Sequence, residues 1–207
     1  MDKPEIQDDS SEQRIFDAAH EVFVQKGLHG AKMQEIADRA GINKALLHYY
    51  YRSKEKLYET VVRAVINRVL PVLRDLLESD KPLLEKIDYF IHFYLQTVSK
   101  NPFVPLFLIN EMNKNPDHFF ETIFPKELPK PDRFFQQVQN AVAEGEIKPI
   151  TPQHLIVNVI SMCIFPILAR PMLGVILGMQ ADDMRAFLNQ REVEIRTFVH
   201  AALRPVP

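Results

Sequence analysis

The sequence predicts an all-α protein, and three observations lead there. Glycine is scarce, at 6 of 207 residues. No β-branched alternating run of useful length occurs, and neither Asn-Gly nor Asp-Gly is present to close a hairpin. Apolar residues instead recur at helical spacing between recognisable caps. About nine helices are expected, three short ones near the N-terminus and longer ones after, with a boundary around residue 55.

Ser10 followed by Gln13 fits a capping box and opens the first helix. Ile15, Ala19, Val22 and Phe23 then recur at helical spacing, and Gly27 stops the helix by taking the left-handed conformation cheaply. The second helix is MQEIADRA at 33–40, ended by Gly41. Asn43 caps a third, from Lys44 to about Tyr50. Ser53 caps the long fourth, Lys54 to about Glu78, apolar at Leu57, Val61, Val65, Val69 and Leu73, with a kink expected at Pro71. A fifth runs from beyond Pro82 to about Lys100, and Asn101-Pro102 starts a sixth. Four prolines make 115–131 a loop with at most one short turn. A seventh helix spans about Asp132 to Glu144 and stops at Gly145. Thr151-Pro152 launches an apolar eighth that fades near Arg170-Pro171. Asp182 or Asp183 caps the ninth, which ends near Leu203.

Composition narrows the class. A net charge of −2 and 46% hydrophobic residues describe an ordinary globular chain with room for a sizeable core. Cys163 alone excludes a disulfide framework and a Cys-based zinc site. The acidic, polar N-terminus has no apolar core of a secretory signal. The one membrane-like stretch, 155–169, is shorter than the ~20 residues a span needs and reads as a buried helix. A cytoplasmic location is expected. No phosphate-cradling glycine loop, H-E-x-x-H, G-x-S-x-G, Cys-His or Ser-His-Asp arrangement appears, so no catalytic residue, metal site or cofactor is expected.

Residues 33–52, MQEIADRAGINKALLHYYYR, carry the chemistry. Counting from Met33, a small residue falls fifth (Ala37), glycine ninth (Gly41) and an aliphatic fifteenth (Leu47). Ala37 lets two helices approach. Gly41 supplies the positive φ of a tight turn. Ile36, Ile42 and Leu47 close a small core. This is the helix-turn-helix spacing, which sends a second helix into a DNA major groove; a helical hairpin with no nucleic-acid role meets the same spacing. Charge supports the first reading. Residues 26–54 carry a net +4, from Lys26, Lys32, Arg39, Lys44, Arg52 and Lys54 against Glu35 and Asp38, while the rest of the chain carries −6. A basic segment on an acidic chain is an electrostatic footprint for phosphate. Of Tyr49, Tyr50 and Tyr51, one, Tyr51, is expected in the core. The other two then offer hydroxyls and ring faces outward.

IADRAGINKALLHYYYRSKEKLYETVV at 36–62 resembles the DNA-binding signature of TetR-family transcriptional repressors. The matching features are Ile36-Ala37, Ala40-Gly41, the short helix from Asn43 to Tyr51, and Ser53-Lys54-Glu55-Lys56-Leu57. FVQKGLHGA at 23–31 matches as well, so the motif resemblance covers about residues 12–62. Ala31-Lys32 stand where the family often has Thr or Ser, Asn43 where it has Ser, Ala45 where it has Gly, and His48 where it has Tyr. The resemblance implies groove-facing roles for Lys44, Ala45, His48 and Tyr49, and backbone contacts for Tyr50 and Lys54; Lys32 can supply the phosphate contact of the usual Thr or Ser but not its cap. A plain surface histidine is the alternative reading of His48.

The resemblance further implies two domains: a helix-turn-helix domain over 1–55, and an effector-binding and dimerisation domain over 56–207. Nine of the fourteen Phe lie between 90 and 135. Core is the plain reading of each; an effector pocket between the fourth to eighth helices is the functional one. Pocket candidates are Tyr89, His92, Phe93, Gln96, Phe107, Phe134 and Ser161, with Asp88 and His92 able to pair at i, i+4. An aromatic lining favours a small apolar or aromatic effector of unknown identity. The eighth helix is apolar almost all round. The ninth offers Leu188, Ile195, Val199 and Ala202 on one stripe. The resemblance implies that these two helices form a homodimer. Two recognition helices ~34 Å apart or somewhat more then meet a palindromic double-stranded operator. The expected function is a repressor released from its operator by the effector. The alternative is a DNA-binding dimer with no small-molecule effector, whose C-terminal domain binds protein.

Overall fold

The computed structural model describes residues 8–114, 116–123 and 129–205. All secondary structure among these residues is helical, as expected, with eleven α-helices where the sequence suggested about nine. They are α1 (Asp8–Gly30), α2 (Met33–Ala40), α3 (Lys44–Tyr50), α4 (Lys54–Glu78), α5 (Leu83–Lys100), α6 (Phe103–Lys114), α7 (Pro116–His118), α8 (Asp132–Ala143), α9 (Pro152–Leu168), α10 (Arg170–Ile176) and α11 (Ala181–Leu203). A single π-helical stretch, Phe119–Ile123, follows α7.

Both additional helices carry a proline in their first turn, Pro116 and Pro171. α7 and the π stretch fall where a loop was expected; Phe124 and Pro125 lie outside the described residues. Arg170-Pro171 was expected to end the apolar helix. Ala169 leaves helical geometry at φ −90°, ψ 12°, and Pro171 then sits in the first turn of α10. A proline there has no amide bond to lose, so it opens a helix as readily as it closes one. α9 and α10 meet at 78°.

Several caps form as expected. The Asn43 side chain accepts from the Leu46 amide at 2.7 Å, Ser53 Oγ from the Lys56 amide at 3.2 Å, and Thr151 Oγ1 from the His154 amide at 3.3 Å. Three expectations are corrected. The chain is already helical at Asp8, so Ser10 lies inside α1 and does not cap it. Gly27 breaks helical geometry at φ 63°, yet one further turn continues to Gly30. α11 is capped by Gln180, and Asp183 serves three residues in, its carboxylate accepting from the Gln180 amide at 3.0 Å. α4 continues through Pro71.

The chain divides into two compact units. The first comprises the described residues up to Arg68 and those among 100–126, so it runs past residue 55 and takes in α6. Aromatic packing explains that reach. Phe23 of α1 meets Tyr58 of α4 edge-on at 4.7 Å, and Tyr58 packs against Phe103 and Phe107 of α6 at 5.4 and 5.2 Å. The Tyr58 hydroxyl donates to the Phe103 carbonyl at 3.4 Å, and burial pushes its pKa up to about 12. His20 Nε2 and Asn101 Oδ1 lie 2.7 Å apart beside this cluster.

The second unit holds Val69–Ser99 and the described residues from Pro129 onward. Its core joins Ile87 and Ile91 of α5, Phe134 and Val138 of α8, Leu155, Val159 and Cys163 of α9, and Ile195, Val199 and Leu203 of α11. Ile195 and Val199 are thus core residues, not an outward stripe: they are 0% and 3% exposed. The large apolar residues left outside on these two helices are Val157 and Phe165 on α9 and Val193 and Phe198 on α11. Cys163 is buried, and its thiol is pushed up to about 12 by that burial, with Arg191 working in the opposite direction. No single helix among the described residues is long and apolar enough to cross a membrane.

Asp88 and His92 do not pair with each other. α11 supplies a partner for each: Asp88 accepts from Arg196 at 2.9 Å and faces His200 Nε2 at 2.8 Å, while His92 Nδ1 lies 3.0 Å from Glu192. Burial, the largest single influence on Asp88, works to raise its pKa. The hydrogen bonds and charges of Arg196 and His200 together outweigh it and hold the carboxyl below the ordinary 3.8. A depressed carboxylate contributes stability above its unfolded pKa and loses it as pH falls through the folded value. Asp88→Asn should therefore cost about 1 kcal/mol at neutral pH, Arg196 being partly exposed, and progressively less as pH falls below 3.8 through the depressed folded value. Urea unfolding at neutral pH and at successively lower pH checks this.

Candidate functional site

The first candidate site is the surface built by α1, α2 and α3. α3 has only seven residues, too few to persist alone in water. It is held by burial of Leu47, 0% exposed, against Ile36 and Ala37, also 0% exposed. The turn before it is set by Gly41 at φ 66°, ψ 35°. The Gly41 amide donates to the Asp38 carbonyl at 3.2 Å and the Ile42 amide to the Ala37 carbonyl at 3.0 Å. These two bonds complete a Schellman closure of α2. At the far end Tyr51 leaves the helix and turns inward, 9% exposed. Its hydroxyl donates to Glu12 Oε1 at 3.2 Å, and its pKa is pushed up to about 12, by burial first and by Glu12 second.

With Leu47 and Tyr51 inward, the outward face of α3 is fixed. Lys44, Ala45, His48 and Tyr49 are exposed, Tyr49 at 80%, and the Tyr50 ring meets Tyr49 edge-on at 5.7 Å. Lys32 is exposed at the N-terminus of α2 and makes no side-chain cap bond. Lys54 differs: it is half-buried, and its Nζ donates to the Ala31 carbonyl at 3.1 Å. Lys26 pairs with Glu35 at 2.8 Å, and Arg39 with Glu21 at 3.2 Å. Among the described residues Lys32, Lys44 and Arg52 have no ion pair. Arg52 was counted only in the local charge of the sequence; its exposure beside the end of α3 places it on the same surface.

The second candidate site is a cavity of about 290 Å³ in the second unit. α4 contributes Leu70, Leu73, Leu76 and Leu77, and α5 Lys86, Ile87 and Phe90. Pro129 and Phe134 add to the wall, and α9 closes it with Leu155, Ile156, Val159 and Ile160. Of the seven pocket residues expected from the sequence, only Phe134 lines this cavity. Phe107 belongs to the first unit. Tyr89 is exposed and stacks on Phe93, the rings 6.2 Å apart and 7° from parallel. His92 is exposed and held by Glu192, and Gln96 is exposed. Ser161 lines a different groove, between α9 and α11. The lining is aliphatic with two phenylalanines, not an aromatic cage. The signal for it was the leucine run at the end of α4, which reads equally well as plain core.

No group of three or more His, Cys, Asp or Glu among the described residues could hold a metal ion. A buried three-helix frame that presents a short basic helix defines a helix-turn-helix DNA-binding protein. Residues 15–61 match the family profile of bacterial regulatory proteins, tetR family. The chain is 27% identical over 191 residues to the HTH-type transcriptional regulator RutR of Escherichia coli K12, covering 92% of this chain and 89% of that one. The solved structure of HlyIIR, a hemolysin II transcriptional regulator, shares the fold at TM-score 0.58 and 19% identity, over 96% of this chain and 99% of that one. FadR from Bacillus subtilis, solved in complex with stearoyl-CoA, shares it at TM-score 0.58 and 14% identity, over 92% and 98%. These likenesses support a TetR-family transcriptional regulator, with the family profile matched over residues 15–61. Proteins of this family bind DNA operators and act as dimers, and these relatives are regulators, not enzymes.

The turn carries a direct test. An added Cβ at Gly41 meets only Arg14 Nη1, at an ordinary 3.9 Å, so the left-handed φ is the sole penalty. Gly41→Ala should cost about 1 kcal/mol. A urea titration against the parent chain measures it.

Proposed function

We propose that this chain is a ligand-responsive repressor that binds a palindromic DNA operator as a homodimer and leaves it when an apolar effector fills the cavity of the second unit. The observation that carries the reading is the outward face of α3. Lys44, Ala45, His48 and Tyr49 are exposed on a helix whose other side is anchored by Leu47. Lys44, Ala45, His48 and Tyr49 face the bases and the groove. Lys32, Tyr50, Lys54 and Arg52 face phosphates, Lys54 also tying the start of α4 to Ala31. The domain assignment keeps its expected roles, DNA reading in the first unit and effector binding with dimerisation in the second.

The cavity supports a small-molecule effector over a C-terminal half used only for protein contacts, because a filled interior would offer no such volume. The stearoyl-CoA complex of FadR supports it as well, since a chain of this fold takes in an apolar ligand. Release follows from differential affinity. An effector that prefers the conformer whose reading heads do not match adjacent grooves shifts the population away from DNA. α4 runs from Lys54, just after the recognition helix, to the Leu70–Leu77 wall of the cavity.

Dimerisation is assigned to α9 and α11. Val157, Phe165, Val193 and Phe198 are each more than half exposed, and Phe198 borders the groove that also holds Ser161. Apolar surface of that kind rimmed by polar groups marks an interface. Phe198→Asp should therefore yield folded monomers that lose operator binding. Val199→Glu should unfold the second unit instead, because Val199 is core. Sedimentation velocity with circular dichroism separates the two, and a parent chain that sediments as a monomer at micromolar concentration would remove the dimer.

Selection of DNA from a random pool, followed by titration at several salt concentrations, tests the operator. A preferred palindrome with steep salt dependence is expected. Lys32→Ala should weaken binding to all sequences alike. Lys44→Ala should weaken it and relax preference at one position per half-site. Equal affinity for every sequence would overturn the repressor reading.

A further inference from the structure

The cavity of the second unit is apolar except at one point. Lys86 of α5 lines it and is 1% exposed, among the most completely buried large side chains of the described residues. Its Nζ donates to the Leu77 carbonyl at 3.1 Å, in the last turn of α4. An ammonium offers three donors; among the described residues this carbonyl is its one acceptor. A helix end favours a nearby cation and explains how the charge is tolerated. It does not explain why an ammonium stands in the wall of an aliphatic space, where burial penalises the charged form.

We propose that Lys86 is the anchor for the carboxylate of a monoanionic amphiphile, whose aliphatic body fills the cavity. This rests on the reading of the cavity as the effector site and specifies the ligand class it takes. Three observations converge. The walls beyond Lys86 are mostly leucine, isoleucine and valine, which suit an alkyl or alicyclic body better than a planar aromatic one. The volume sets the size: a dry cavity of ~150 Å³ holds benzene, so about 290 Å³ holds roughly twelve non-hydrogen atoms, the size of a ten-carbon acid. One buried ammonium neutralises one negative charge. A dianionic phosphate head would leave a buried charge unpaired. Burial also holds the Lys86 pKa below the ordinary 10.5, and a carboxylate at hydrogen-bond distance reverses that influence.

The probes are decanoate and 1-decanol, equal in chain length and different in charge, titrated calorimetrically into the full-length protein below their aggregation concentrations. The parent chain should bind decanoate at least about tenfold more tightly than decanol, the worth of one charge-assisted hydrogen bond in a dry site. Lys86→Met keeps the length of the side chain and removes its charge; it should bind the two equally and retain decanol. Lys86→Arg should keep the preference for the acid. A lysine that serves only as a cap for α4 predicts a different pattern: lower thermal stability in Lys86→Met with no change in ligand preference. If Lys86→Met does not fold, the parent chain and Lys86→Arg still decide. No preference for decanoate in the parent chain overturns the anchor, as does undiminished decanoate binding in folded Lys86→Met. A separate DNA competition titration keeps the two readings apart. Lys86-dependent decanoate binding that leaves operator affinity unchanged upholds the anchor and overturns the effector role.

Discussion

The direction in which α3 faces depends on the two backbone bonds that close α2 at Gly41. A helix of seven residues has almost no stability of its own, so its orientation is borrowed from what precedes it. The left-handed residue turns the chain, the Ile42 amide returns to Ala37, and Ala37 is small enough to let the packing close. Leu47 and Tyr51 then pin the two ends of the short helix inward. The set of side chains that α3 turns outward descends from that geometry, because one wrong rotation of α3 would exchange Leu47 for His48 in the core.

The first unit was largely legible in the sequence, and the second was legible only as helices. Caps at Asn43, Ser53 and Thr151, the turn at Gly41 and the inward Tyr51 each rest on local chemistry acting over a few residues, which a linear reading captures. The end of α1 and the cap of α11 shifted by a few residues because Gly27 and Asp183 have more than one way to serve a helix terminus. The boundary at residue 55 missed the aromatic cluster that draws α6 to Tyr58, since Phe103 stands 45 residues away. Periodicity found apolar stripes on α9 and α11 but not which stripe each helix gives to its own core. Ile195 and Val199 went inward, and Phe198, next to Val199, stayed out. The same ambiguity hid the cavity: the aromatic residues that drew notice, Tyr89 and Phe93, stack at the surface, and the lining came from ordinary leucines.

Charge is handled in two contrasting ways within the second unit. Asp88 reaches across to Arg196 and His200 of α11, so three partly solvated groups share a network that lies over the core. Lys86, two residues earlier on α5, is buried in the wall of the cavity and bonds the Leu77 carbonyl of α4. Position 88 thus spends its charge on joining helices. Position 86 keeps its charge in a place where packing alone would have chosen methionine or leucine.

The state of Cys163 has a practical side. A thiol with a pKa of about 12 is ionised in roughly one molecule in 10⁵ at neutral pH, and the sulfur is sealed by α9 and its neighbours. Burial and the raised pKa both make Cys163 a poor target for thiol reagents in the folded chain. A cysteine introduced on the exposed face of α3 would be the one reactive sulfur per subunit. In a symmetric assembly the two probes attached there would report, as a single spectroscopic distance, how far apart the reading heads stand with and without a bound ligand.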